Sequence, residues 1–294
     1  MLQHNISIFL DACKHYNYSK STIGAFTTRL NEFDVFIQSH HVQSIKAITY
    51  QHLMDFMISR NASHHVKKIR VWTLRQFFHF LKLNNLVDMN VALKLPYPKL
   101  EITEPEFLTL EELKTILDYF HQQTASVQGL RNLIIVMILS FLGIRLSSLR
   151  NLNIQDVILP DSLLRVRQKG YVSRSVPLPQ IICIYLYKYL KTLDMNMGPL
   201  FLSTRKNRLS ARALQYIFDI SENELDITKH LHCHLFRHTA ATQINQTAGL
   251  YITKSLLGHR SSRSTERYIH LDGTLYANYM RCHFYHEIME VCNA

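Results

Sequence analysis

The stretch HCHLFRHTAATQI, residues 232 to 244, places His232, His234, Arg237 and His238 within seven positions of what reads as the start of a helix. Proton carriers beside a fixed cation suit two kinds of chemistry, ligation of a metal or the holding of an anion. His234 and His238 are four apart and share a helical face, as zinc-ligating pairs do. However, the glutamate of an HExxH zinc helix is missing. No nearby acid or paired cysteine completes a four-coordinate set, although His232 and Cys233 could be enlisted, and Arg237 would repel a dication. An anion fits better: His234 and Arg237 lie one turn apart, and a guanidinium can grip a small anion through two parallel hydrogen bonds. Further basic residues stand where chains commonly build sites. Arg145 follows an apolar run in FLGIRLSSL, Lys169 lies in RQKGYV, and His259 follows Gly258 in LLGHRSSRSTERYIH. Each alone reads as a surface charge, so only their order and spacing together carry weight.

These residues need a scaffold, and the chain has one clear punctuation point. PYPKLEITEPEFLT, beginning at Pro96, holds three prolines, mixed charges and no helical period, and reads as a linker. Thr109 followed by Glu112 has capping-box spacing, so a helix and a second domain start there. The expected organisation is a helical first domain over 1–97, a linker over 98–108, and a second domain over 109–294 ending in an amphipathic, aromatic tail. Eight glycines and apolar spacings of three and four predict a mostly α protein. LIIVMILSFLGI, 133–144, reads as a buried helix. SLLRVRQKGYVSRSVPL, 162–178, alternates apolar and polar residues around Lys169 and Gly170 and reads as a β-hairpin, the one small antiparallel element.

Composition narrows the partners. Across 294 residues, 33 Lys and Arg stand against 22 Asp and Glu, a formal charge of +11 that suits a polyanion. The longest apolar run falls short of the roughly 20 residues that span a bilayer. The N-terminus shows no basic segment followed by a clean apolar core, since Asp11 interrupts it, so a cytoplasmic protein is expected. Five scattered cysteines with no CxxC pair fit a reducing compartment. No carboxylate lies between Asp55 and Asp88, while Arg60, Lys67, Lys68, Arg70, Arg75 and Lys82 do. That interval predicts a one-signed face for phosphate contact, and STRKNRLSARALQYI, with Arg205, Lys206, Arg208 and Arg212, predicts a second. Trp72, Phe77, Phe78 and Phe80 keep helical spacing and read as core.

Taken in order, LGIRLSSL, RQKGYVSRSVPL, HLFRHTAAT, LLGH and STERYIH resemble the motifs of the tyrosine recombinases, or phage integrases, with Xer-like proteins the nearest in size. YSKSTIGAFTTRLNEFDVFI, which contains Lys20, and TLRQFFHFL are similar to the family's SAM-like DNA-binding domain. The resemblance implies a mostly helical recombinase fold with a small antiparallel sheet. It also implies six catalytic positions: Arg145, Lys169, His234, Arg237, His259 and the nucleophile Tyr268. Two departures stand out, Ser148 where the family usually has a glutamate and Leu235 where an aspartate is frequent.

The implied reaction is strand transfer through a 3'-phosphotyrosyl link, with no metal and no cofactor, because guanidiniums meet the charge that builds on phosphorus. The implied partners are a double-stranded core site with inverted repeats, a homotetramer on two such sites, and accessory DNA-bending proteins. Lys20, Lys67, Lys68, Arg70, Arg75, Arg205, Lys206, Arg208 and Arg212 are the expected DNA contacts. A type IB topoisomerase and a non-catalytic DNA-binding regulator of the same fold are the alternatives.

Overall fold

A computed structural model describes residues 2–59, 62–99, 105–167 and 173–258. The chain divides into two compact units, Met1–Thr103 and Glu104–Ala294. Lys169, His259 and Tyr268, together with Arg60, lie outside the described residues.

The first unit contains α1 (Gln3–His15), α2 (Lys20–Ser39), α3 (Tyr50–Ile58) and α4 (His64–Leu83). Three of these start where a hydroxyl satisfies an orphan N–H: Ser19 accepts from Thr22, Thr49 from His52 and Ser63 from Val66. Their apolar stripes meet in a core of rings, with Phe9, Phe26, Phe33, Phe56, Phe77 and Phe78 all buried and Trp72 and Phe80 packed against them. The aromatic run on α4 is therefore packing, as its spacing indicated.

The second unit is organised around α6 (Val127–Leu142), which is apolar on nearly every face and correspondingly buried. It packs with α5 (Leu110–Gln122), α8 (Gln180–Leu190) and α10 (Cys233–Leu257), while α7 (Leu146–Arg150) follows it and α9 (Ala211–Glu224) precedes α10. Helix α5 starts on the expected capping box, with Thr109 and Glu112 bonding reciprocally. The hairpin is also present, as β2 (Leu163–Arg167) and β3 (Ser173–Pro177), with β1 (Val157–Ile158) completing a three-stranded antiparallel sheet in the order β1-β2-β3. Leu164 faces Val176 across the ladder and Val166 faces Arg174. Leu164, Val166 and Val176 are buried, which makes that side the inner face. Among the described residues no helix is long and apolar enough to cross a membrane.

Candidate active site

The end of α6 sets the geometry. Gly143 closes the helix in the left-handed region at φ 56°, which only glycine adopts without steric cost. A side chain there would also have no room, since an added Cβ would stand 2.6 Å from Leu257 Cδ2 and 3.0 Å from Ala240 Cβ. This close approach lets α10 lie against the α6 terminus, and two residues later the extended backbone of Arg145 opens α7.

Arg237 is 4% exposed, so its charge is fixed inside the unit. Its terminal nitrogens donate to the carbonyl of Gly143 and, at 3.0 Å, to that of Leu257. Two of the donors of its planar fork are thus taken by the protein's own backbone, which fixes the guanidinium in place. Arg145 Nη1 makes a long 3.5 Å contact with the carbonyl of Gly258, the next residue. The C-terminal corner of α10 thus brings Arg145 and Arg237 together. This is where a helix gathers unpaired carbonyls and negative dipole charge, a setting that suits cations.

A third guanidinium joins them from the hairpin. Arg174 Nη1 donates to the carbonyl of Ser255 at 2.9 Å, and burial, followed by the neighbouring Arg145, pulls its pKa down to about 10. Sequence reasoning passed over Arg174, although its place in RSVPL, two positions before the buried Val176, puts it on the inner face of the strand. Ser148, in place of the expected acid, is buried and donates its hydroxyl to the carbonyl of Arg167 at 2.8 Å.

His234 is exposed one turn before Arg237, its ring stacked with that of His238 at 6.2 Å between centroids and edge-on to that of His232 at 6.5 Å. Cys233 is buried, which pushes its thiol up to about 12 and leaves no thiolate poised to bind a metal. Among the described residues no cluster of three or more His, Cys, Asp or Glu side chains is placed to hold a metal ion.

His232 plays a different part: it caps α10, its ring nitrogen Nδ1 accepting from Leu235 N–H at 3.1 Å. Burial, and then the nearby His230 and His234, lower its pKa, while Glu106 and Glu222 act the other way. Because the unfolded chain takes up this proton first, stability is intact above the ordinary histidine value of about 6.5. It falls as pH drops from there toward the lowered folded value. A protonated Nδ1 can no longer accept, so the cap is lost as well. His232→Ser should keep the cap while flattening this acid limb of the melting temperature between pH 8 and pH 5, whereas an unchanged acid limb would remove His232 as its cause.

The expected DNA contacts divide into two groups. Arg70 is 3% exposed, donates to the carbonyls of Phe56 and Ser59 at 2.8 and 3.1 Å, and pairs with Glu32. Arg75 donates to the Leu95 carbonyl at 2.6 Å and lies over the Tyr97 ring. Arg208 donates to the carbonyls of Arg150 and Leu152 and to the Asn153 side chain. These three tie turns to helices, which corrects the expectation that they form a phosphate-facing surface. Lys20, Lys68, Arg205, Lys206 and Arg212 are exposed and Lys67 partly so.

The match of the phage integrase family model spans residues 106–274. The chain belongs to the phage integrase family. Two relatives of this integrase are tyrosine recombinases XerC. That of Bacillus pumilus is 30% identical over 281 residues, covering 91% of this chain and 92% of the relative. That of Oceanobacillus iheyensis is 29% identical over 298 residues, covering 95% and 97%. The integrase fold is shared with the XerH site-specific recombinase bound to palindromic difH substrate in a post-cleavage complex, at TM-score 0.73, 21% identity and coverage of 94% and 84%. It is shared too with a lambda integrase tetramer bound to a Holliday junction, at TM-score 0.70, 16% identity and coverage of 89% and 78%.

Proposed function

We propose that this integrase cuts and rejoins DNA at paired core sites through a 3'-phosphotyrosyl intermediate, with Arg145, Arg237, His234, Lys169, His259 and Tyr268 carrying the steps. Site-specific DNA recombination by strand transfer is its activity. The observation that carries the residue assignment is the convergence of Arg145 and Arg237 on the carbonyls of Leu257 and Gly258, one residue before His259. Two permanent charges held by backbone need no rearrangement when negative charge grows on the nonbridging oxygens.

In the proposed step the Tyr268 oxygen bonds to phosphorus as the bond from phosphorus to the 5' oxygen breaks. His234 accepts the phenol proton, Lys169 gives a proton to the departing oxygen, and His259 hydrogen bonds a nonbridging oxygen. A 5' hydroxyl from another duplex then reverses the step on the phosphotyrosyl link, which turns cleavage into strand exchange without ATP. The first unit and the exposed cations of the second would hold duplex DNA, and four copies would act on two sites, as the lambda integrase tetramer on its junction suggests.

The assignment is tested with a core site selected from randomised inverted repeats, synthesised with sulfur or oxygen at the scissile 5' position. Sulfur departs without a proton. Lys169→Ala should therefore cleave the oxygen substrate about 100-fold or more slowly and the sulfur substrate at nearly the unmutated rate. Failure of that rescue removes Lys169 as the acid.

Binding should weaken steeply with salt. Six phosphate contacts, from Lys20, Lys67, Lys68, Arg205, Lys206 and Arg212, at about −0.9 each give a log–log slope of about −5. Lys67→Ala with Lys68→Ala should make the slope shallower by about 2 units and leave the melting temperature unchanged. Arg208→Ala should do the reverse, lowering stability by about 1–3 kcal/mol with the slope intact, because it strands carbonyls rather than phosphates. A flat salt response would overturn the two-surface contact.

A further inference from the structure

Arg174 occupies a place that strand alternation reserves for an apolar side chain. It pairs with buried Val166 and shares its face with buried Val176, and its guanidinium, half-buried, reaches across to α10. Nor is a third cation easily kept there, since burial and Arg145 both act against its charge. A charge retained against both pressures has a geometric purpose, and the hydrogen bonds around the hairpin point to it.

Each strand is tied to a different element of the arginine site. On β2, the carbonyl of Arg167 accepts from Ser148 of α7, whose first turn follows Arg145. The Arg167 side chain also pairs with Asp156 at 3.6 Å. On β3, Arg174 reaches Ser255 in the last turn of α10, where Arg237 and Arg145 hold the carbonyls of Leu257 and Gly258. Arg167 and Ser173 are paired across the ladder, so both ends of the connection that contains Lys169 are fixed in register.

We propose that Arg174 is a positioning residue, holding β3 against the last turn of α10 so that Lys169 delivers its proton to the 5' oxygen of the phosphate bound by Arg145 and Arg237. The proposal rests on the assignment of Lys169 as the acid. It differs from a stabilising role, and from a direct charge effect on the phosphate, in what a sulfur leaving group does.

Arg174→Ala, Lys169→Ala and Arg237→Ala are compared in single turnover on the selected core site with oxygen or sulfur at the scissile 5' position, alongside DNA affinity and melting temperature. Arg174→Ala should bind DNA within about 3-fold of the unmutated chain and cleave the oxygen substrate about 100-fold more slowly. On the sulfur substrate it should return to within about 5-fold of the unmutated rate, following Lys169→Ala and not Arg237→Ala. Should Arg174→Ala fail to fold, Arg174→Lys keeps stem and charge without the planar fork and enters the same comparison, with a smaller defect of the same selectivity. Equal slowing on both substrates, with Lys169→Ala rescued, overturns the positioning role alone. Absence of rescue in Lys169→Ala overturns the acid assignment, and the positioning role with it.

Discussion

Tyr268→Phe yields no covalent protein–DNA adduct while core-site affinity stays within about 2-fold, the expected outcome if a single hydroxyl forms the covalent bond. A phenol has an ordinary pKa of about 10, so at neutral pH it attacks phosphorus only where its proton is taken and the developing charge is met. The ring and its packing survive in phenylalanine, which confines the loss to chemistry. The measurement is capture on a nicked core-site duplex resolved in a denaturing gel. A persistent adduct would mean another nucleophile, with Tyr251 and Tyr276 the next tyrosines to test. Tyr251 stands on α10 with 82% of its surface exposed.

Arg237→Ala carries the second large effect, because one side chain serves both the phosphate and the fold. Removing a preorganised charge from a phosphate in transition should cost about 10²- to 10³-fold in cleavage, with no rescue by the sulfur leaving group. The carbonyls of Gly143 and Leu257 lose their buried donor at the same time, each worth about 1–3 kcal/mol when stranded. Arg237→Lys keeps the charge but lacks the fork that reaches both carbonyls, so it should recover part of the binding and little of the rate. Thermal melting beside single-turnover cleavage separates the two contributions. A variant that melts normally and cleaves within 10-fold of the unmutated rate would detach Arg237 from the reaction.

Motifs with local causes were legible in the sequence. The Thr109 capping box, the apolar α6 and the alternation of the hairpin each follow from neighbours along the chain, and each is present. The destination of a long cation is a different matter. Arg70 looked like a surface charge because no acid lies near it in sequence, yet Glu32 of α2 and the carbonyl ends of α3 surround it in space. Arg208 misled in the same way, since the carbonyls of Arg150 and Leu152 that receive it lie over fifty residues earlier. For Arg174 the signal was available: it shares parity with Val176 on one strand, and a charge in phase with the buried residues of a strand is bound for the interior. Lys169, His259 and Tyr268 rest on motif order alone.

The last turns of α10 follow from a single residue. Gly249 interrupts the helix with φ 75° and ψ 174°, so 250–257 form a separate helical piece of eight residues. That is below the roughly 12–15 residues at which an isolated helix becomes even marginal in water. Its order therefore depends on tertiary contacts: Thr253 and Leu257 are buried, and Arg174, Arg237 and Arg145 hold three carbonyls at its end. Such a piece is expected to open below the free energy of the whole domain, so its amides should exchange with solvent sooner than those of α6. Any anion that draws on the same guanidiniums is then linked thermodynamically to this opening, so hydrogen exchange at 250–257 would register occupancy of the site without any bond being cut.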